Sequence, residues 1–117
     1  MRFDTHPATA PSMTRCLSRL AVMAMLLADS VWAGSMTYYN PGGALGSCGS
    51  ALDDSGFFVA MNPVEYNLNL CGASICISYN GQTVQGTLMD RCAGCAQGDI
   101  DVTPPVFSAF QSLSVGR

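Results

Sequence analysis

Met89-Asp90-Arg91-Cys92-Ala93-Gly94-Cys95, continuing through Ala96 and Gln97 to Gly98-Asp99-Ile100-Asp101-Val102-Thr103-Pro104, decides how the rest of this chain is read. Asp90 to Gly98 is rich in cysteine and glycine, the composition of a loop. Ile100-Asp101-Val102 reads as a short extended piece with an acid between two β-branched residues. Thr103-Pro104 reads as a helix N-cap followed by proline at the first helical position. Val106, Phe107, Phe110 and Leu113 then give that helix an apolar stripe.

Upstream of that stretch the pattern is short strands and turns. Ile75, Ile77 and Tyr79 alternate with Ser74, Cys76 and Ser78, so one apolar face is expected, with Cys76 directed away from it. Asn80-Gly81 is a strong hairpin signal, because both positions of the turn need positive φ. Val84, Gly86 and Leu88 continue on the return strand. Phe57–Met61 is a short apolar run closed by Asn62-Pro63, and residues 64–72 are irregular. Ser35–Tyr39 is rich in aromatic and β-branched types and stops at Asn40-Pro41-Gly42-Gly43. Four or five short strands, one short helix and long glycine-rich loops make a small barrel or sandwich, mainly β.

The first third has a different composition. Arg15 and Arg19 precede the apolar run Leu20–Ala28, which is far shorter than the roughly 20 residues a membrane span needs. With Val31 and Ala33 ahead of Gly34, residues 1–33 read as a signal peptide cleaved after Ala33. Gly34–Arg117 is then the expected domain of a soluble, secreted, extracellular product with no membrane attachment. A buried N-terminal helix is the alternative. The whole chain has 117 residues, a formal charge of -3 and no lysine. It therefore lacks the basic face that binding nucleic acid requires. His6, the chain's only histidine, lies in the leader segment.

Five cysteines follow residue 33: Cys48, Cys71, Cys76, Cys92 and Cys95. Cys92-x-x-Cys95 by itself is compatible with a redox pair or half a zinc site. A chain without histidine after its leader has little to complete a metal site, so structural disulfides are expected, with no metal and no cofactor. The fifth thiol, Cys76, is expected to be unpaired, and the product to be monomeric unless Cys76 cross-links two chains.

Taken together, Met36-Thr37-Tyr38-Tyr39-Asn40, Ser47-Cys48-Gly49, Cys71-Gly72 and the Met89–Pro104 stretch resemble the RlpA-like, barwin-like and expansin-like proteins. Among these the chain is most similar to small secreted fungal members and bacterial papain-inhibitor proteins. The resemblance covers nearly all of residues 34–116. It implies a six-stranded double-psi β-barrel with one or two short helices. It also implies a final strand after the helix, so a chain ending at Arg117 is expected to be C-terminally truncated, lacking its last strand or filling that gap with another segment.

The resemblance further implies a glycan-binding groove. Asp101 matches the acid needed for wall loosening in expansins, Asp90 a second groove acid and Thr37 a groove threonine; Tyr39 is the aromatic residue beside them. The bland alternatives are a turn carboxylate paired with Arg91 for Asp90, and a helix-capping acid for Asp101. Tyr38, Tyr39, Tyr66 and Tyr79 suit either sugar stacking or packing. Asn40 stands where endoglucanase relatives carry a base, and Asn62 where lytic transglycosylases carry a histidine. No catalytic residue is therefore expected. By analogy with plant expansins, Cys48 pairs with Cys71 and Cys92 with Cys95. Two functions follow as expectations: non-catalytic binding or loosening of cell-wall polysaccharide, or inhibition of a papain-like cysteine protease through the loops.

Overall fold

The computed structural model describes Arg2–Pro7 and residues 32–116. Within them the protein is mainly β, a strongly curled sheet with one short helix and two 3-10 turns. The strands are β1 (Arg2–Pro7), β2 (Trp32–Tyr38), β3 (Phe58–Met61), β4 (Ser74–Tyr79), β5 (Gln82–Arg91) and β6 (Ile100–Val102), followed by α1 (Pro104–Ser108). Their order is β1-β2-β6-β3-β5-β4, and the sheet closes on itself. No helix among the described residues is long and apolar enough to cross a membrane.

Local chemistry accounts for most of these elements. Asn80 and Gly81 adopt φ of 51° and 81°, and the turn they make sets the β4–β5 register that pairs Tyr79 with Gln82. Thr103 is the N-cap residue of α1 and is followed by proline, as expected, but its hydroxyl makes no cap hydrogen bond. Instead it donates to Gly56 O and accepts from Phe58 N, which ties the helix start to β3. Residues 64–72 are not wholly irregular: Asn67 Oδ1 accepts from Asn69 N and opens a 3-10 turn over Leu68–Leu70.

The core lies inside the curl. Val59, Met61, Ile75, Ile77, Leu88, Ile100, Val102, Val106 and Phe107 are all buried in it. Phe107 seats α1 on the sheet and stacks at a tilt on Tyr38, with ring centroids 5.1 Å apart. Full burial of such a ring contributes roughly 1.5–3 kcal/mol. Leu113, expected on the helix stripe, lies past the helix in the second 3-10 turn and is partly exposed.

Three expectations meet the structure at the termini and at Cys76. The apolar run Leu20–Ala28 and Val31 lie outside the described residues. Arg2–Pro7, inside the expected leader, occupies the gap between β2 and β4, pairing antiparallel with both. Cys76 departs from the reading given it in being disulfide-bonded rather than unpaired; it is fully buried, yet outside the core cluster that Ile75 and Ile77 join. Burial does not alternate there, since Ile75, Cys76 and Ile77 are all buried in succession. A strand covered on both faces loses its period-two signal.

The bridges Cys48–Cys71 and Cys92–Cys95 are formed as the resemblance implied. With the four sulfurs oxidised, Cys92-x-x-Cys95 is unable to serve as a zinc-thiolate pair. Loop-closure entropy assigns Cys48–Cys71 about 3 kcal/mol and the tight Cys92–Cys95 loop about 1.5 kcal/mol. Replacing Cys48 and Cys71 by alanine is thus expected to lower the thermal midpoint about twice as far as replacing Cys92 and Cys95, as read by circular dichroism melts of the two double variants.

Candidate functional site: a carboxylate row on the outer face

The site is built from the middle of β6. Ile100 and Val102 point into the core, so the pleat turns Asp101 outward. β6 lies between β2, which runs parallel to it, and β3, which runs antiparallel. Asp101 is thereby opposite Thr37 on one side and Ala60 on the other. Thr37 Oγ1 donates to Asp101 Oδ1 at 3.0 Å. Ala60 in turn is opposite Asp90 of β5. Cross-strand partners share a face, so Thr37, Asp101, Ala60 and Asp90 form one row across four strands. The backbones of the two acids are two strand spacings apart, about 10 Å. Ala60 is only 2% exposed, so its methyl group is buried between the two acids.

Asp90 reaches this face through an irregularity. Val59 pairs with Leu88, but the next residue, Ala60, pairs with Asp90, so Met89 is the extra residue of a bulge. Regular alternation would put Asp90 on the same side as the buried Leu88; the bulge re-aims it outward. The neighbouring loop seals the irregularity, with Cys48 N donating to Met89 O at 3.3 Å. Only glycine permits the loop to come so near, because a Cβ on Gly46 would lie 2.5 Å from Met89 O.

The same loop saturates the carboxylate. Asp90 Oδ1 accepts from Ser47 N at 2.8 Å, Ser47 Oγ at 3.1 Å and Arg91 N at 2.8 Å. Its Oδ2 accepts from Tyr39 Oη at 2.9 Å. Partial burial pushes the Asp90 pKa up, but these four donors outweigh it and hold the group below the ordinary aspartate value. Tyr39 shifts the other way. Burial, the bond to Asp90 and the charges of Asp90 and Asp101 all raise its pKa, so it stays a neutral phenol.

The row contains the four expected groove residues, Thr37, Tyr39, Asp90 and Asp101. It also includes two that were not expected, Ser47 and Ala60. Ser47 was legible only as part of Ser47-Cys48-Gly49; Ala60 carried no signal beyond being small within an apolar run. The link between Asp90 and Arg91 is a backbone amide bond, not a side-chain ion pair. Asp101 does not cap α1, since Thr103 holds that position. The other tyrosines are committed to packing. Tyr38 stacks on Phe107 and donates to Leu113 O, Tyr79 meets Phe110 edge-on, and Tyr66 Oη lies 3.7 Å and 3.9 Å from the sulfurs of Cys71 and Cys48. Asn62 is buried and fully used: Oδ1 accepts from Val64 N and Glu65 N, and Nδ2 donates to Asp99 O. Asn40 is exposed.

No family model matches the chain. Individual proteins do. The Papain inhibitor of Streptomyces mobaraensis is 33% identical over 91 residues, covering 71% of this chain and 63% of that protein. The solved Streptomyces papain inhibitor superposes with a TM-score of 0.63 at 34% identity, over 69% of this chain and 80% of that one. The chain belongs to the barwin/expansin-like family. Within this family, Allergen Asp f 7 of Aspergillus fumigatus is 34% identical over 88 residues, or 72% of this chain. An Asp f 7 homolog from Arthroderma benhamiae is 37% identical over 86 residues, or 68% of this chain. The chain spans about a third of the length of these two allergens, 33% and 29% respectively. A Clavibacter michiganensis expansin, another member of the family, superposes with a TM-score of 0.61 at 26% identity, over 69% of this chain and 43% of that one. A point mutant of that expansin was solved in complex with cellohexaose.

The shift at Asp90 has a pH signature. A carboxyl whose native pKa lies below its unfolded value of about 3.9 contributes stability above that pH, and loses it as pH falls through the native pKa. Asp90→Asn should therefore cost about 1–2 kcal/mol at pH 7, with Asp90 being partly solvated. The gap to wild type should stay constant down to about pH 4 and close below it, as measured by urea unfolding at stepped pH.

Proposed function

We propose that this chain is an extracellular, non-catalytic double-psi β-barrel module. Its outer carboxylate row binds cell-wall polysaccharide. The observation that carries this reading is the row Thr37–Asp101–Ala60–Asp90, with two carboxylates and a neutral phenol flanking the buried Ala60. Ionised carboxylates accept hydrogen bonds from sugar hydroxyls, and such charge-assisted bonds are the stronger kind. The family relationship and the cellohexaose complex of a relative support a polysaccharide partner. The disulfides support an oxidising, extracellular setting.

Binding without hydrolysis is favoured by the state of the polar groups. A glycosidase of the common type needs one carboxyl that holds a proton and a second that activates water or attacks. Asp90 is held ionised by four donors, which suits an acceptor and not an acid. Asn40 is an amide without useful basicity, and the Asn62 amide is spent on a turn through Oδ1 and on Asp99 O through Nδ2. Retention on chitin, cellulose and peptidoglycan at low salt is the test. Wild type should be retained on at least one of them, and Asp101→Asn should weaken that retention about tenfold, the worth of one charge-assisted bond. Lack of retention on all three, or release of reducing sugar abolished by Asp101→Asn, overturns the reading.

A second reading is inhibition of a papain-like cysteine protease by the loops. It rests on the 33% identity to the Papain inhibitor of Streptomyces mobaraensis. The Cys48–Cys71 bridge also staples two loops that expose Leu45, Val64 and Leu68. Apolar side chains on pre-organised loops suit insertion into a protease cleft. Titration of papain should then show stoichiometric loss of activity, unchanged in Asp101→Asn. Full papain activity at micromolar excess overturns this reading.

A further inference from the structure

Two observations on one seam connect the folded domain to the segment that the sequence reads as a leader. The first is the pairing of β1. Arg2 to Thr5 are opposite Ser35 to Trp32 on β2, and Asp4 to Pro7 are opposite Ser78 to Ile75 on β4. Without this strand, β2 and β4 would each present an unpaired edge. On β4 that edge would run along Ile75, Cys76 and Ile77, each 0% exposed in the closed sheet. The second observation is the bond of Cys76. It is disulfide-bonded, while the other four cysteines of residues 34–116 are bonded to one another. Cys76 stands opposite His6 of β1, so its bond lies on the seam that this strand closes.

From these we infer that Arg2–Pro7 is a working strand of the barrel, retained in the folded protein as its closing element. Cleavage after Ala33 would remove β1, shorten β2 by Trp32 and Ala33, and uncover the β4 edge at Cys76, all along one seam of the sheet. The loss would fall between β2 and β4, with β2 alone standing between this seam and Asp101 on β6. The inference goes beyond both functional readings and depends on neither.

The full chain, produced through an oxidising export route, tests it by intact mass, thiol titration and amide exchange. The expected protein keeps residues 1–33, has no thiol reactive under native conditions, and protects the amides of residues 75–78. Thr5→Pro places a residue with no amide donor where the backbone is paired on both sides. It should speed exchange at residues 75–78 about tenfold, the effect of losing one or two ladder bonds, while leaving the amides of β6 protected. Because a proline variant can fail to fold, Thr5→Gly serves as a milder second variant, with a smaller acceleration confined to the same residues. A folded product whose mass begins at Gly34, a reactive Cys76 thiol, or β4 exchange unchanged in both variants overturns the inference.

Discussion

The bulge at Met89 is the constraint on which the candidate site depends. β5 leaves the core at Leu88 and needs one extra residue before Asp90 can stand opposite Ala60 on the outer face. Without that residue a carboxylate would be driven into a core of Val59, Met61 and Leu88, at a desolvation cost of several kcal/mol. The Gly46–Cys48 loop makes the bulge tolerable. It supplies an amide to the carbonyl of Met89 and two donors to Asp90. It is itself held by the bridge to Cys71. Bulge, loop and disulfide therefore form one unit, and damage to any of them should reach the carboxylate.

The two acids of the row have different characters. Asp90 is an anchor. Its four hydrogen bonds organise Tyr39 and the Ser47 loop, and its charge is the more secure for them. Asp101 is held by the sheet itself, through pleat alternation in β6 and the directly opposed Thr37. This division resembles that of many binding surfaces, in which one charged group orders the scaffold while another faces the ligand.

Much of the fold was readable from local chemistry. Asn80-Gly81 dictated the β4–β5 turn, Thr103-Pro104 the start of the helix, and Ile100-Asp101-Val102 the outward acid. The reading failed where the environment is two-sided. Cys76 lies among consecutive buried residues, so alternation gave its face but neither its burial nor its bond. Asp90 falls two residues after a core leucine, and only the register between β3 and β5 reveals that it changes face. The pairing of Arg2–Pro7 with strands far along the chain was equally out of reach, because strand partners at long separation leave no periodic mark in one sequence.

What the sequence determined by itself was the inventory: short strands with their turns, a cysteine framework, a family pattern, and the acids of the Met89–Pro104 stretch. These follow from residue types acting over a few neighbours, through φ preferences, capping and the two-residue pleat. What only the tertiary structure decided was adjacency: Ala60 between Asp90 and Asp101, Ser47 on Asp90, and β1 in the seam between β2 and β4. Adjacency depends on register and bulges, which are set when distant strands pack around a shared core, and a one-residue difference there reverses which side chains meet.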